Sequence, residues 1–389
     1  MKPLNPWGLL PNLTTLADEF KGAGYVTHIV GKWHLGFCKE DYLPLSRGFD
    51  HHYGFWVGSQ DYYQHTRMDG YDFRDDMEVD QAARGEYSST LFSKRAKEII
   101  TSHDQSSPLF LYLPFQAVHG PLEAPQEYVD LYEEVPDDDR SVFLGMVTAM
   151  DDAVGVIVES LKQSNMYDNT IIVFFSDNGG AKGHGNNWPL RGHKSSLWEG
   201  GTRTPAFIRG PGLTPRVEEG IFHVTDWYPT LLAAIGKKPA DEDLDGVNEW
   251  DVLTNSTDIW NREEMVYNIK TLDDHPYSPV AAIRVGDWKY LWRVTGDDTW
   301  EKPPEGRKNG EAFHPSEESS NTAHTNQLFN LAEDPLEEEN LAYIEEDRAL
   351  EMKERLQEHL KSYMDVRYNH DDPAGKPGHF GDVWTTGWC

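Results

Sequence analysis

Pro108-Leu109-Phe110-Leu111-Tyr112-Leu113-Pro114-Phe115 is a near-continuous apolar run. That composition predicts a strand covered on both faces. From about Asp139 to Gln163, Val142, Met146, Val147, Met150, Val154, Ile157, Val158 and Leu161 recur at three- and four-residue steps, the period of an amphipathic helix. Asp137 to Asp139 stand where a helix takes its cap and where its positive end favours carboxylates. Asn169 to Ser176 then reads as a second buried strand. Strand, helix, strand in this order predicts an α/β architecture with a parallel sheet and a crossover helix. Such sheets bind ligands beyond the carboxyl ends of their strands. The residues at those two ends are Val118-His119-Gly120 and Asp177-Asn178-Gly179-Gly180.

Upstream, residues 12 to 24 read as a short helix capped by Asn12 or Thr14, with Leu13, Leu16 and Phe20 on one face. Tyr25 to Val30 is a β-type run that enters Gly31-Lys32-Trp33-His34-Leu35-Gly36. Residues 88 to 102 read as a helix. Downstream of about residue 276 the texture changes. Val280 to Val285 and Trp288 to Val294 alternate as a hairpin about Gly286-Asp287. Residues 296 to 325 are polar and rich in Pro and Gly, a loop composition, and Leu341 to Met364 reads as an acidic amphipathic helix. The expected division is a larger α/β domain over 1–275 and a smaller α+β domain over 276–389.

The 389 residues carry a net charge of −31, from 35 basic and 66 acidic side chains. Binding of nucleic acid needs a basic surface, so that class of partner is excluded. An anionic substrate would have to be held by a few local cations in a pocket. The two cysteines, Cys38 and Cys389, allow at most one disulfide. Met1 to Leu10 lacks the basic start and apolar core of a signal peptide. No run approaches the ~20 apolar residues of a membrane span. Sequons occur at Asn12-Leu13-Thr14 and Asn255-Ser256-Thr257.

Several residue groups could carry chemistry. Asp177 and Asn178 offer a carboxylate and an amide oxygen, donors that suit a hard cation, although Asp-Asn-Gly is also good turn chemistry. Lys32 and His34 would point to one side of an extended backbone, able to bind an anion and move a proton. His119 follows the 108–115 strand, and Lys194 lies in Trp188-Pro189-Leu190-Arg191-Gly192-His193-Lys194. Met singly, each reads as well as a surface lysine, a structural histidine or a plain turn.

Their combination is specific. Gly-Lys-Trp-His-Leu-Gly at 31–36, Arg-Gly-Phe-Asp at 47–50, Val-His at 118–119, Ser-Asp-Asn-Gly-Gly at 176–180 and Leu-Trp-Glu-Gly-Gly at 197–201 follow the order found in sulfatases. Gly185 to Gly201, and Gly48 to Tyr63 with its Gly-Ser-Gln-Asp-Tyr-Tyr, resemble arylsulfatase B, the N-acetylgalactosamine-4-sulfatase. Leu328 to Ala342 resembles the family's C-terminal signature. The resemblance runs from about residue 12 to the end. It implies an alkaline-phosphatase-like mixed sheet flanked by helices, with the smaller α+β domain after it. It also implies hydrolysis of sulfate esters on a sulfated glycan or aryl sulfate, one calcium ion, and a lysosomal or secreted location. Carried over, Asp177 and Asn178 would be calcium ligands. Lys32 and Lys194 would hold sulfate oxygens. His119 would serve the leaving oxygen, and His34 would assist release of sulfate.

The sequence departs from the family in one respect that bears on activity. Sulfatases use a formylglycine made from the Cys of Cys-x-Pro-Ser-Arg as covalent nucleophile. Cys38 is followed by Lys39-Glu40-Asp41, and Cys389 is the last residue. The family's paired aspartates of the first strand have no counterpart before residue 12. The expectation is that a segment of roughly a hundred residues, one or two βα units, would supply these and a signal peptide. As written, the chain would then not hydrolyse sulfate esters. The rival expectation is a pseudosulfatase that binds sulfated glycan through Lys32, Lys194 and Arg191 without turnover. A second rival is a phosphoryl-transfer enzyme of the same superfamily. His193 stands where vertebrate relatives would be expected to have a more basic residue.

Overall fold

Helix α1 (Leu16–Gly22) opens on Thr15, whose side chain accepts from the Asp18 amide while Asp18 accepts from the Thr15 amide. The reciprocal capping box places the cap at Thr15 rather than Asn12 or Thr14, because only Thr15 has a carboxylate three residues on. The computed structural model describes residues 2–241, 243–255, 257, 259–272, 275–294, 300–302, 325–364 and 370–389. Most of the loop expected at 296–325 lies outside them. The chain forms two compact units, one from 1–170, 231–244 and 367–389, the other from 171–230 and 245–366. Each unit therefore draws on both sides of residue 275.

The first unit is built on a five-stranded mixed sheet. Strand β1 (Val26–Lys32) lies parallel to β2 (His51–Phe55), the middle strand of the five, with His28 opposite His51 and Lys32 opposite Phe55. A small hairpin, β3 (Thr66–Arg67) and β4 (Gly70–Tyr71), precedes the antiparallel pair β5 (Arg74–Asp75) and β6 (Glu78–Val79), which extends the sheet beyond β2. On the other side β1 pairs in parallel with β7 (Leu109–Tyr112), giving the order β6-β5-β2-β1-β7. Ile29, Val30, Phe55, Trp56 and Phe73 make the core with Leu91 and Phe92 of α2 (Ser88–Ser102), and Trp384 returns from the tail to join them. The tail is tied in by Tyr71 donating to the Asp382 carbonyl at 2.8 Å, by Trp384 donating back to Tyr71 at 2.9 Å, and by the Cys38–Cys389 disulfide.

Helix α3 (Gln126–Val129) leads to α4 (Asp138–Gln163), capped by the Asp137 side chain on the Arg140 amide. Among the described residues α4 is the one helix long and apolar enough to cross a membrane by length and composition. Here Met146 and Ala149 pack with Tyr62 and Tyr87 inside the first unit.

In the second unit, β8 (Ile172–Phe175) pairs antiparallel with β9 (Ala206–Arg209). The parallel arrangement expected for the 108–115 and 169–176 runs is thus not the observed one: β7 pairs with β1, and β8 with β9. Both strands are only half-buried, with Tyr112 and Phe175 exposed. An apolar run fixes strand type but says nothing of its neighbour. Short helices α5 (Glu199–Thr202) and α7 (Trp250–Leu253) flank α6 (Trp227–Ala234) in sequence. The antiparallel sheet follows, in the order β10 (Glu264–Leu272), β11 (His275–Val285), β12 (Trp288–Val294) and β13 (Thr325–Asn330). The expected hairpin is β11–β12, with Val285 opposite Trp288. Met352 and Leu356 of α8 (Glu346–His359) cover Ala281, Ile283, Tyr290 and Leu328.

Candidate active site

The six candidate residues divide evenly: Lys32, His34 and His119 belong to the first unit, and Asp177, Asn178 and Lys194 to the second. Each half has its own scaffold.

In the first half, β1 ends at Lys32. The chain then runs on between two neighbours: the Lys32 amide donates to Pro114, Trp33 to Phe55 and His34 to Trp56, at 2.9, 2.9 and 3.1 Å. Lys32 and His34 are partly buried. His34 has φ +58, a left-handed conformation that non-glycine residues rarely adopt. The backbone is therefore not extended there, and the alternation expected to aim Lys32 and His34 together does not apply. The ring of His34 lies against Gly58. A Cβ at Gly58 would come within 2.5 Å of His34 Nε2, so any larger residue there would have to move this imidazole.

The same stretch reaches His119. The Gln60 amide donates to Gln116 Oε1 at 3.0 Å and Gln116 Nε2 donates to the Gln60 carbonyl at 2.7 Å, both side chains buried. Tyr62 then donates from its hydroxyl to the His119 carbonyl at 2.8 Å. The structure thus connects the segments of His34 and His119 through Gly58–Tyr62. The His119 side chain is exposed, with Nδ1 2.8 Å from the Gly120 carbonyl. Asp72, fully buried, accepts from the Trp56 and Val57 amides at 2.8 and 2.7 Å and so fixes the bend that carries Gly58. Burial pushes the Asp72 carboxyl up to about 6, against the opposing pull of Arg74.

In the second half the Asp177 turn leaves β8. Ser176 Oγ donates to the Asn178 carbonyl at 2.9 Å, and the Gly179 amide donates to Gly201 at 3.0 Å. A Cβ at Gly179 would meet the Gly200 carbonyl at 1.8 Å, so the turn can close on this segment only with glycine. Asn187 clasps it. Its Oδ1 accepts from Gly180 at 2.7 Å and its Nδ2 donates to Gly180 and Gly192, both at 3.1 Å. The Lys194 amide donates to the Gly180 carbonyl at 3.0 Å. The turn of Asp177 and Asn178 and the backbone of Lys194 are therefore neighbours. Asp177 is exposed, while Asn178 and Lys194 are partly buried. Arg191 is stacked, its guanidinium 3.6 Å from the Trp198 ring centre and 4.5 Å from that of Trp300. His193 Nδ1 sits 2.8 Å from the Lys194 carbonyl.

The donor types of Asp177 and Asn178 suit calcium, but calcium takes about six to eight oxygens. Among the described residues no group of three or more His, Cys, Asp or Glu is placed to hold a metal ion. Asn178 also turns its Nδ2 to the Gly179 carbonyl at 2.9 Å. These residues alone do not make a calcium site. Both cysteines are consumed in the disulfide. His34 lines a cavity of about 10 Å³ with Lys2, Asn5, Trp56 and Gly58. That is room for about one water. A larger cavity, about 200 Å³, lies at the amino end of β1 and β2, lined by His28, His51, Tyr53, Asp75 and Arg95, and holds none of the candidates.

Asn187, Gln60, Gln116, Tyr62 and Asp72 were not singled out from sequence. Asn187 and the Gly58–Tyr62 stretch lay inside the quoted motifs, which was their available signal.

The family profile described as Sulfatase matches residues 1–237. Arylsulfatase J of Mus musculus is 35% identical over 412 residues, covering 99% of this chain and 68% of its own length. N-acetylgalactosamine-6-sulfatase of Mus musculus is 29% identical, covering 92% of this chain and 71% of its own. The crystal structure of Ps i-CgsB in complex with k-i-k-neocarrahexaose superposes with a TM-score of 0.78 at 25% identity, over 98% of this chain and 82% of that one.

Proposed function

We propose how this chain acts from one premise: it belongs to the sulfatase family, the sulfuric ester hydrolases of alkaline-phosphatase-like fold. Its substrate is a sulfate ester on a glycan. The observation that carries this reading is the seating of Lys194 on Gly180, which sets an ammonium-bearing segment beside the Asp177–Asn178 turn. A sulfate ester gathers charge on its oxygens as it breaks, and a cation held in a fixed place stabilises that charge. Lys194 and Lys32 bind sulfate oxygens, His119 donates to the leaving oxygen, and His34 assists release of sulfate. Asp177 and Asn178 would be two of the ligands of a calcium ion such as the family generally binds, the remaining oxygens coming from outside these two residues. The specificity we favour is that of arylsulfatase B, because Gly48–Tyr63 and Gly185–Gly201 carry that resemblance. The disulfide supports a secreted or lysosomal location, since such bonds persist in oxidising compartments. The exposed Asn12 and Asn255 agree with it.

The family's nucleophile motif does not occur in these 389 residues, so we assign turnover to a polypeptide that includes it. The test is sulfate release from p-nitrophenyl sulfate and from a sulfated oligosaccharide. It compares this chain with the product of the full transcript, sequenced from its 5′ end. Release by the longer product alone supports the reading. If a transcript beginning at Met1 gives a product that binds the sulfated sugar and releases nothing, the pseudosulfatase account replaces it.

A further inference from the structure

Lys289 of β12 is completely buried and faces two carboxylates. Its Nζ lies 2.9 Å from Glu199 Oε1 and 2.7 Å from Glu337 Oε1, and both glutamates are buried as well. The two glutamates are also joined directly, beyond sharing the ammonium: the Glu199 amide donates to Glu337 Oε2 at 2.7 Å. Tyr267 adds its hydroxyl to Glu199 Oε1 at 2.9 Å. The cluster joins the antiparallel sheet to the segment that bears Lys194. Glu199 begins α5, and the next residue, Gly200, donates to the Arg191 carbonyl at 2.6 Å. Arg191 in turn donates to the Glu337 carbonyl at 3.2 Å. Glu337 thus grips both ends of the 191–199 loop, one through its carboxylate and one through its own backbone.

Two features argue that this is more than a stabilising contact. Buried ion clusters add little stability over apolar residues of similar size, because desolvation of the charges offsets their attraction. Glu337 also has φ +58, where Gly or Asn would sit with less strain. A glutamate in that conformation is explained by what its side chain reaches.

We propose that Glu199, Lys289 and Glu337 are positioning residues that hold the 191–199 loop, and with it Lys194, in the geometry that receives a sulfate oxygen. This rests on the reading of Lys194 above. Glu337 is the informative position, because its removal leaves Lys289 and Glu199 as a balanced pair and the sheet keeps its core. In Glu337→Ala, amide exchange across Gly192–Gly201 rises by about tenfold or more while β10–β13 stay protected. Glu337→Gln, which retains an acceptor for the Glu199 amide, restores most of the protection. Affinity for inorganic sulfate falls by about tenfold in Glu337→Ala and recovers in part in Glu337→Gln. Unchanged loop exchange in Glu337→Ala, or an equal rise throughout the sheet, overturns the proposal. If the unaltered chain binds no sulfate, the Lys194 reading fails and the exchange pattern alone decides the positioning claim.

Discussion

Two sites, one in each unit, bury ionisable groups by opposite means. In the first, His52 is 1% exposed and neither ring nitrogen has a hydrogen-bond partner among the described residues. Burial pushes its pKa down to about 4, against the raising influence of Asp76, so the ring is buried neutral. In the second, Lys289 is buried between Glu199 and Glu337. Burial alone would raise Glu199, but the ammonium of Lys289 and the Tyr267 hydroxyl more than offset it and leave the carboxyl below its ordinary value. Burial and the nearby Glu199 keep Glu337 above its ordinary value. The His52 site discards charge and the Lys289 site pairs it. The first solution depends on pH, and the second depends on all three partners being present.

The largest expected effect breaks the pairing. Lys289→Met leaves two buried carboxylates facing each other, and the second unit should lose about 3–5 kcal/mol. Urea unfolding followed by exchange at β11 and β12 measures it, and a loss below about 1 kcal/mol would show the cluster is dispensable. Removing the Cys38–Cys389 bridge by a paired change to Ser should weaken the first unit by about 2–5 kcal/mol. Exchange in β10–β13 should stay as it was, because both cysteines belong to the first unit. The third effect is the pH response of His52. Above its ordinary value of 6.5 both folded and unfolded states are neutral. As pH falls from 6.5 toward about 4 the unfolded chain takes up the proton first, so the first unit loses stability, by ~3 kcal/mol in all. His28, also pushed down to about 4 by burial and by the charge of His51, adds a smaller share because it is partly exposed. His52→Leu should flatten the slope, and an unchanged slope would move the effect to other groups. The smallest is Thr15→Ala, which removes the α1 cap and should cost about 1 kcal/mol by thermal denaturation.

Much of the fold is legible where the signal is local. The 139–163 helix and the 280–294 hairpin follow from periods of 3.6 and 2 within single segments. What escaped the sequence is long-range. The partner of β8 is β9, some thirty residues on and antiparallel, and an apolar run does not name its neighbour. The disulfide joins residues separated by 351 positions. Lys289, Glu199 and Glu337 come from three segments, and only the quoted Leu-Trp-Glu-Gly-Gly and Leu328–Ala342 stretches hinted that two of them matter. Site chemistry was legible as residue types in order. The left-handed backbone of His34, the Gln60–Gln116 clasp and the Asn187 clasp were not, because each depends on a backbone carbonyl or amide that sequence does not display.

Calorimetric titration of this chain with a sulfated galactosamine-containing oligosaccharide and its desulfated counterpart tests the sulfatase site most directly. The account predicts saturable binding of the sulfated form alone, weakened about tenfold or more by Lys194→Ala. Equal affinity for the desulfated sugar, or binding untouched by Lys194→Ala, would contradict it.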